Sequence, residues 1–402
     1  MSKDVNFIGQ PIFSQLLIPV SKRRIDKIAK QHQSDRYTKK FNTYNHFISM
    51  LYCIFHGCTS IREVVTGMQA CSKKLNHLGL NYCVRRTTLS DANKRRGAEV
   101  FESIYYDLLN RLRCVLSDSR KFKGKLYIVD STTISLFKEI LKNAGRTPAN
   151  GKRKGGMKVH TMIRADQDVP CLVKMTAAAS HDVSFIKNLK LAQGSIIVFD
   201  KGYVNYEQYD LWNKEGITWV TRLRKGASYV INDDLPITKE QKVEGILSDQ
   251  LITLGHRTHE NIVRTEARLI RYYDAEKNII LEFITNNLLF EANVICQIYK
   301  YRWQIEMLYK RLKQNYPLQY FLGDNENAIK VQVWCALIAD LLIKYVQKRI
   351  KRKWSYSNLK SMVRLHLMNY IHLIKFLNDP DKALINLMPK RRPPPNLFNT
   401  IK

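Results

Sequence analysis

Two short apolar runs that each end in an aspartate set the strongest limit on how this chain folds. They are Lys125–Asp130 (KLYIVD) and Ser195–Asp200 (SIIVFD), and both have the apolar, β-prone composition of buried strands. The pattern predicts three further strands and two helices in the same region: strands at Met157–Arg164, Cys171–Ala177 and Ile217–Arg222, and helices at Val183–Leu191 and Tyr206–Trp212. Strands that alternate with helices predict an α/β fold.

The flanking regions have different patterns. Residues up to about 115 are predicted to be helical, and Ile61–Met68 has the apolar spacing of a helix face. Residues 224–282 contain strand-like runs separated by polar turns, which indicates an inserted β-rich segment. Glu291–Gln314 is predicted to form one long helix. The chain is then mainly helical and ends in a basic, proline-rich tail at Pro389–Pro395.

The charge of the chain points to a polyanionic partner. Sixty-six Lys and Arg residues face 35 Asp and Glu residues, which gives a formal net charge of +31 among 402 residues. The basic residues are spread along the whole chain, which favours a long nucleic acid over a membrane surface. A ribosome-associated protein, or a basic protein without such a partner, is the alternative that charge alone leaves open.

The cysteines and apolar segments indicate a protein of a reducing cytoplasm. None of the eight cysteines forms a CxxC pair, so neither a disulfide framework nor a zinc site is expected. The N-terminus lacks the pattern of a signal peptide. The most apolar stretch, Val331–Val346, is interrupted by Asp340 and Lys344 and is predicted to be a buried helix, so no membrane partner is expected.

Three carboxylates lie at positions that are typical of catalytic or ligand-binding residues. Asp130 and Asp200 are each predicted to end a buried strand, and ligands of open α/β sheets bind at the carboxyl ends of strands. A metal ion, a basic side chain or backbone donors would each compensate such a buried charge. Glu306 shares one stripe of its predicted helix with Tyr299, Arg302 and Lys313. Taken alone, Arg302 and Glu306 are better explained as a solvated i,i+4 pair.

Together, the three acids have the chemistry of a two-metal phosphodiester site. Two Mg²⁺ ions, or Mn²⁺ in their place, bind to a few hard carboxylate oxygens and keep positions open for water and phosphate. Asp130, Asp200 and Glu306 are therefore the candidate catalytic and metal-binding residues. Arg302 and Lys313 would then contact DNA phosphates, and Tyr299 would donate to a phosphate or stack on a base.

At these residues the sequence resembles the DDE transposases of bacterial insertion sequences. The motif Asp-Lys-Gly-Tyr at 200–203 and the spacing Tyr299-x2-Arg302-x3-Glu306-x6-Lys313 are similar to the subgroup with a Tyr-Arg-Glu-Lys signature, the insertion-sequence-four family. The resemblance covers roughly Lys125 to Gln314, and the ordered combination of motifs is specific.

The resemblance implies an architecture and an activity. It implies a ribonuclease-H-like catalytic core at residues 119–223 and 285–325 with a β-rich insertion at 224–284. Flanking it are a helical DNA-binding region at residues 1–118 and a helical C-terminal region at 326–402. It also implies an enzyme that cleaves the terminal inverted repeats of a transposon and joins them to target DNA. A homodimer holding both ends, in the bacterial cytoplasm at the nucleoid, is expected.

Further candidates for DNA contact are basic and less specific. They are Lys201 beside Asp200, the loop residues Lys152, Arg153, Lys154 and Lys158, and the pair Arg95 and Arg96 on a short basic helix with Thr87, Thr88 or Ser90 as its expected cap. A solvated helix face is an equal alternative for that helix. His160 and the pair His181-Asp182 are expected near the site, and a structural role is favoured for the histidines.

Two questions stay open at this level. Hairpin-forming relatives receive a flipped base on an aromatic side chain in the insertion, yet no Trp lies between Trp219 and Trp303. The alternatives there are Tyr229, Tyr272, Tyr273 and Phe283. A metal-dependent nuclease of the same fold and a catalytically silent DNA-binding inhibitor are the alternative functions.

Overall fold

The structure is a computed structural model that describes residues 9–118, 125–135, 156–178, 182–257 and 262–385. Lys152, Arg153, Lys154, His181 and the proline-rich tail lie outside these residues. The chain divides into two compact units, one made of residues 1–115, 315–323 and 327–402 and the other of residues 116–314 and 324–326.

The elements follow each other in three groups. The first group is helical: α1 (Ile12–Leu16), α2 (Lys22–Gln31), α3 (Thr43–His56), α4 (Ile61–Ala70), α5 (Arg86–Arg95) and α6 (Ala98–Leu116). The second group is mixed: β1 (Leu126–Ser135), β2 (Gly156–Arg164), β3 (Pro170–Ala177), α7 (Val183–Ile186), β4 (Ile196–Phe199), α8 (Tyr206–Lys214), β5 (Thr218–Arg222), β6 (Ser228–Asp234), α9 (Lys239–Val243), β7 (Ile246–Arg257), β8 (Ile262–Asp274), β9 (Ile279–Thr285), α10 (Ala292–Lys300) and α11 (Trp303–Asn315). The third group is helical again: α12 (Glu326–Arg349), α13 (Tyr356–Leu365), α14 (Leu373–Asn378) and α15 (Pro380–Ile385).

The first compact unit is helical, as the sequence predicted for its N-terminal part. Helix α3 begins where the side chain of Asn42 accepts a hydrogen bond from the Asn45 N–H and ends at Gly57, whose φ of 74° favours glycine. Helix α4 begins at the cap residue Ser60 and confirms the helix predicted from apolar spacing. The predicted caps of α5 were wrong, because its cap position is Arg85, which makes no side-chain hydrogen bond there. In the part of the chain that the structure describes, no helix is long and apolar enough to cross a membrane.

The second compact unit is built on one mixed sheet, which confirms the α/β class. The nine strands of the described residues have the order β3-β2-β1-β4-β5-β9-β8-β7-β6. Strands β1, β4 and β5 are parallel, whereas β2 and β3 run antiparallel beside β1. Strand β9 pairs antiparallel with β5. On the other side of β9, strands β8, β7 and β6 follow in that order, each antiparallel to its neighbour. The strands of the β-rich segment therefore extend the same sheet instead of forming a second one.

The core of this unit lies where α8 packs on the sheet. Trp212 and Trp219 are fully buried, and the Tyr209 ring stacks on the Trp219 ring with 4.3 Å between centroids. Large buried aromatic side chains of this kind stabilise a fold by several kcal/mol each. They fix the position of β4 and β5. Helix α7 is shorter than predicted, because it ends at Ile186 rather than Leu191.

Acid is expected to destabilise the helical unit through His46. This side chain is fully buried in α3, its Nε2–H donates to Asn93 Oδ1 at 2.7 Å, and burial lowers its pKa to about 3. The unfolded chain binds a proton near pH 6.5, so stability is complete above that pH and falls as the pH drops towards 3. Between pH 6.5 and 4.5 the loss is about 2 to 3 kcal/mol. Urea unfolding over this range measures it.

The control separates His46 from the rest of the chain. His46→Gln is expected to flatten the pH dependence by about one proton, whereas His77→Gln, at an exposed histidine, leaves it unchanged. An unfolding free energy that is constant between pH 6.5 and 4.5 would contradict the prediction.

Candidate active site

Asp130 and Asp200 lie side by side on neighbouring parallel strands. The register pairs Val129 with Phe199, so the residues that follow each of them are the two aspartates. Adjacent strands are about 4.8 Å apart, which places both carboxylates in one small region. Asp200 follows the end of β4 as predicted, and its side chain accepts a hydrogen bond from the Gly202 N–H. The prediction that Asp130 ends its strand was wrong, because β1 continues to Ser135 through its pairing with β2.

Glu306 reaches the same region from α11. The prediction of one long helix was wrong: α10 ends at Lys300, α11 begins at Trp303, and Arg302 lies in the turn between them. Its guanidinium Nη2 lies 2.6 Å from Glu306 Oε1, and its Nη1 lies 3.6 Å from Asp130 Oδ2. One cation therefore bridges two acids from distant parts of the chain, and the Arg302–Glu306 pair is more than a solvated helix pair.

Two further contacts hold α11 against the sheet. The Tyr309 hydroxyl donates to the backbone carbonyl of Asp130 at 2.8 Å. The Arg311 Nη1 lies 3.1 Å from the Asp168 carboxylate, in the turn between β2 and β3. Asp168 has a φ of 54°, a left-handed conformation that Asp adopts more readily than most residues. These bonds set the distance between Glu306 and the aspartates.

The charges of the other two acids act on Asp130. Burial raises the pKa of Asp130 to about 6, the Ser131 N–H and Arg302 oppose that rise, and the charges of Asp200 and Glu306 add to it. The Asp130 side chain is 18% exposed, so solvent screens these interactions only in part. The carboxyl therefore changes its charge near neutral pH.

The acids have the chemistry of a site for a hard divalent cation. Their carboxylate oxygens are the ligand type that Mg²⁺ prefers, and the Arg302 guanidinium is a cation that stands between two of them. As they stand in the described residues, no three His, Cys, Asp or Glu side chains are grouped closely enough to surround an ion. A metal ion would accordingly require Arg302 to move away from the acids.

A fourth carboxylate, Asp182, lies beside the site, where the sequence placed the pair His181-Asp182 without a chemical role for the acid. Its Oδ1 accepts a hydrogen bond from Ser131 Oγ at 2.8 Å, and the Lys158 Nζ lies 3.3 Å from the carboxylate. Ser131 follows Asp130 directly, so Asp182 connects the strand that carries the first acid to a lysine on β2. The sequence signal was its proximity to a strand end, which is too common to select it.

His160 has the structural role that the sequence favoured. It is fully buried, its ring stacks on Phe185 with 5.2 Å between centroids, and its Nε2 lies 3.0 Å from Thr176 Oγ1. Burial lowers its pKa to about 4. The ring is neutral at physiological pH, and its Nδ1 lies 3.5 Å from Asp182 Oδ1.

The remaining candidates for DNA contact differ in exposure. Lys201, Lys313 and Arg95 are exposed. Tyr299 is mostly buried, with its ring 4.9 Å from the Phe283 ring and beneath the Arg302 guanidinium. Arg96 is buried and donates to Phe41 O and to the Asp35 carboxylate. These partners bind its Nη2, so Arg96 is not the exposed surface cation that the sequence predicted.

The aromatic candidates for a flipped base also differ in exposure. Phe283 is buried against Tyr299, whereas Tyr273 is exposed. Tyr229 and Tyr272 are half-buried, and the Lys300 ammonium lies over the Tyr272 ring.

Comparison of the sequence with known protein families shows which family this chain belongs to. The sequence model described as the transposase DDE domain matches residues 121–342, more than half of the chain, and this chain therefore belongs to the DDE transposases. It is a DNA transposase, an enzyme that cleaves DNA and transfers strands. A second model, described as a domain of unknown function, matches residues 8–81.

Three relatives agree with the family. A putative transposase of Sinorhizobium fredii is 29% identical over 66% of this chain and 72% of its own length. A probable insertion-sequence transposase of Geobacillus stearothermophilus is 25% identical over 64% of this chain and 68% of its own. A putative insertion-sequence transposase of a Synechocystis strain is 27% identical over 69% and 76%.

Among solved structures, the piggyBac transposase in a synaptic complex with hairpin DNA is similar to this chain. The TM-score is 0.40 at 9% identity, with 97% of this chain and 88% of that chain covered. A shared fold does not follow from similarity at this level.

Proposed function

We propose that this transposase cleaves the ends of its insertion sequence and joins them to target DNA with Asp130, Asp200 and Glu306 as catalytic, metal-binding residues. The observation that carries the proposal is the convergence of the three acids. Asp130 and Asp200 are neighbours in register, and Arg302 bridges Asp130 and Glu306 within 3.6 Å. A two-metal site for phosphodiester chemistry requires acids from separate elements to meet in this way.

The cofactor of the proposed reaction is a pair of Mg²⁺ ions, for which Mn²⁺ would substitute. When bound, such ions activate the attacking oxygen and stabilise the leaving oxygen of a phosphodiester. The protein itself supplies the fixed positions of the acids, through the β1–β4 register and the Tyr309 bond to Asp130. Arg302, once released from the acids, is positioned to hold a DNA phosphate beside them.

The finer assignment within the family is part of the proposal. The Tyr-Arg-Glu-Lys spacing supports the insertion-sequence-four family, although Tyr299 and Lys313 lie on two helices instead of one. The mixed order of β1–β5 supports a ribonuclease-H-like core at residues 119–223 and 285–325, with the insertion at 224–284. Residues 1–118 and 326–402 are then the helical flanks, the first of which binds DNA.

The proposed DNA contacts are cations of the site, of which Lys313 and Lys201 are exposed and Lys158 is half-buried beside Asp182. Lys313 and Lys201 would hold phosphates of the transposon end near the acids, and Lys158 would do so from β2. Tyr299 would donate its hydroxyl to a phosphate only after Arg302 moves, because the guanidinium covers its ring. Lys152, Arg153 and Lys154 remain candidates outside the described residues, and Arg95 belongs to the helical unit.

The assembly that fits this activity is a homodimer on DNA. Transposition holds two terminal inverted repeats together, and two chains supply one active site to each. We infer that the complex forms on nucleoid DNA in the bacterial cytoplasm, in line with the bacterial relatives. The number of chains per pair of ends, measured by light scattering of the DNA complex, tests this inference; one chain for two ends would contradict it.

A transposition reaction in vitro tests the proposed function as a whole. The substrates are a linear DNA that carries both ends of the element and a supercoiled target, incubated with the full chain and Mg²⁺. We expect cleavage at the ends, free 3′-hydroxyl groups and joined products, none of which form in EDTA. Cleavage without joined products would favour a nuclease instead, and binding without cleavage would favour an inhibitor.

Asp182 is expected to position Lys158 and the strand of Asp130 rather than to act on the DNA itself. Asp182→Asn keeps the shape but weakens the bond to Lys158, so the lysine loses its fixed direction. We expect the KM for DNA ends to rise about tenfold with a smaller change in kcat. Asp210→Asn, at a half-buried acid on α8, is the control. A pure loss of kcat in Asp182→Asn would contradict the positioning role.

A further inference from the structure

A large basic groove crosses the helical unit, away from the three acids in the sequence. It has a volume of about 1480 Å³ and is formed by the segment between α2 and α3, the residues just before α5, α5 itself and the start of α6. Small-molecule sites are usually smaller than about 1000 Å³ and mainly apolar. Its lining includes five basic side chains and one tyrosine that bear on the kind of ligand it binds: Arg36, Tyr37, Lys39, Lys40, Arg85 and Arg95.

The cations of this groove are available to a ligand. Lys39, Lys40, Arg85 and Arg95 are exposed, and none of them has an ion pair among the described residues. Two acids, Asp91 and Glu99, also line the groove, so its charge is positive but not uniform. Exposed, unpaired cations that gather along a concave surface attract a polyanion.

The segment between α2 and α3 is held in an uncommon conformation. Gln33 and Tyr37 have φ values of 50° and 63°, a region that residues other than glycine seldom adopt. Asp35 anchors the segment, because its carboxylate accepts hydrogen bonds from the N–H and hydroxyl of Thr43 and from Arg96. Strained backbone of this kind is concentrated at functional sites. The Tyr37 ring is 90% exposed, beside the Arg36 guanidinium.

The start of α5 adds unpaired donors to the groove. Its cap residue Arg85 makes no side-chain hydrogen bond to the first turn, and no acid lies in that turn. The N–H groups at such a helix start attract phosphate. The Arg96 side chain, which also lines the groove, is 5% exposed, and its Nη1 has no hydrogen-bond partner among the described residues. A buried donor without an acceptor is an independent sign of a missing ligand or water.

From these features, we propose that this groove binds the phosphate backbone of duplex DNA. It rests on the proposed function and deepens it, because it names the surface within residues 1–118 that contacts the DNA. Single-stranded DNA is disfavoured because its binding sites present several stacking rings. Of the Tyr and Phe rings in this lining, Tyr37 is 90% exposed, Tyr82 is 37% exposed and Phe41 is buried. Most of the groove comes from the segment that matches the domain of unknown function.

The test compares two variants of the full chain with equal changes in charge. The groove variant carries alanine at Lys39, Lys40, Arg85 and Arg95, and the control carries alanine at Arg62, Lys73, Arg113 and Lys375, which are exposed on the same unit outside the groove. Binding to a labelled duplex is measured by fluorescence anisotropy in EDTA over a series of salt concentrations. We expect the groove variant to raise Kd at least tenfold near 0.1 M salt and to reduce the salt slope by about three.

A second measurement needs no substitution. Acetylation of lysines in the native chain, with and without duplex, should show protection of Lys39 and Lys40 but not of Lys73. Equal slopes for the two variants, or equal acetylation of Lys39 with and without DNA, would overturn the proposal. If the groove variant lost affinity for single-stranded DNA but kept its affinity for the duplex, the assignment of duplex DNA would be wrong.

The outcome is distinguishable from that of the proposed function. A chain whose groove binds DNA but which fails to cleave with Mg²⁺ would keep this proposal and defeat the other. If the native chain cleaves and joins ends normally, and the groove variant and its control bind duplex DNA equally well, the proposed function stands and this proposal fails.

Discussion

Replacing Glu306 with glutamine is expected to reduce Mg²⁺-dependent cleavage of transposon ends by roughly a thousandfold or more. The amide keeps the shape of the side chain but removes the charge that Arg302 now pairs with and that a metal ion requires. Asp130→Asn and Asp200→Asn are expected to have losses of the same size. The measurement is the initial rate of cleavage of a labelled end under saturating DNA.

Binding to DNA separates this loss from misfolding. The affinity of Glu306→Gln for the same duplex in EDTA should stay within about threefold of the native chain, because the change adds no negative charge. Glu215→Gln, at an exposed acid of the same unit, should cleave normally. Full cleavage by any one of the three site variants would remove that residue from the proposed site.

Replacing Arg268 with methionine is expected to destabilise the sheet unit by about 3 to 5 kcal/mol. Arg268 on β8 forms two hydrogen bonds to Asp249 on β7, and both side chains are about 95% buried. Its Nη1 also donates to the carbonyls of Asn287 and Phe290, just before α10. The variant leaves a buried carboxylate and two carbonyls without their donor. Urea unfolding of the full chain, followed by tryptophan fluorescence, measures the change.

Two further variants make the second prediction specific. Arg271→Met breaks the exposed pair with Glu282 and should cost less than about 1 kcal/mol. Adding Asp249→Leu to Arg268→Met should restore part of the stability, because no charge is then buried alone. A loss under 1 kcal/mol for Arg268→Met would show that the buried pair does not hold this part of the sheet.

The strands that carry the acids were predictable because their signal is local. Apolar β-prone runs at 126–130 and 196–199 need no distant partner to be recognised, and both form strands. The proximity of Asp130 and Glu306 was inferred from the chemistry that three acids offer together and from the family resemblance. Nothing in the spacing of one residue on β1 and another on α11 gives their distance.

The errors of the sequence analysis have physical causes. The break between α10 and α11 contains no glycine or proline. Because the helical periodicity of Glu291–Gln314 continues through it, no signal in the sequence marks the turn at Arg302. The extension of β1 past Asp130 depends on its long-range pairing with β2, which no local pattern encodes. Arg96 looked like one of a cluster of surface cations, and only the fold reveals that Asp35 holds it inside.

The bridge made by Arg302 has a consequence for how this enzyme exists between reactions. A cluster of acids normally depends on dissolved ions to offset mutual repulsion, whereas here a side chain of the same polypeptide lies between Asp130 and Glu306. The resting protein therefore keeps its acids assembled when free divalent ions are scarce. Chelation would silence such an enzyme without unfolding it, and returning the ions would restore it without a refolding step.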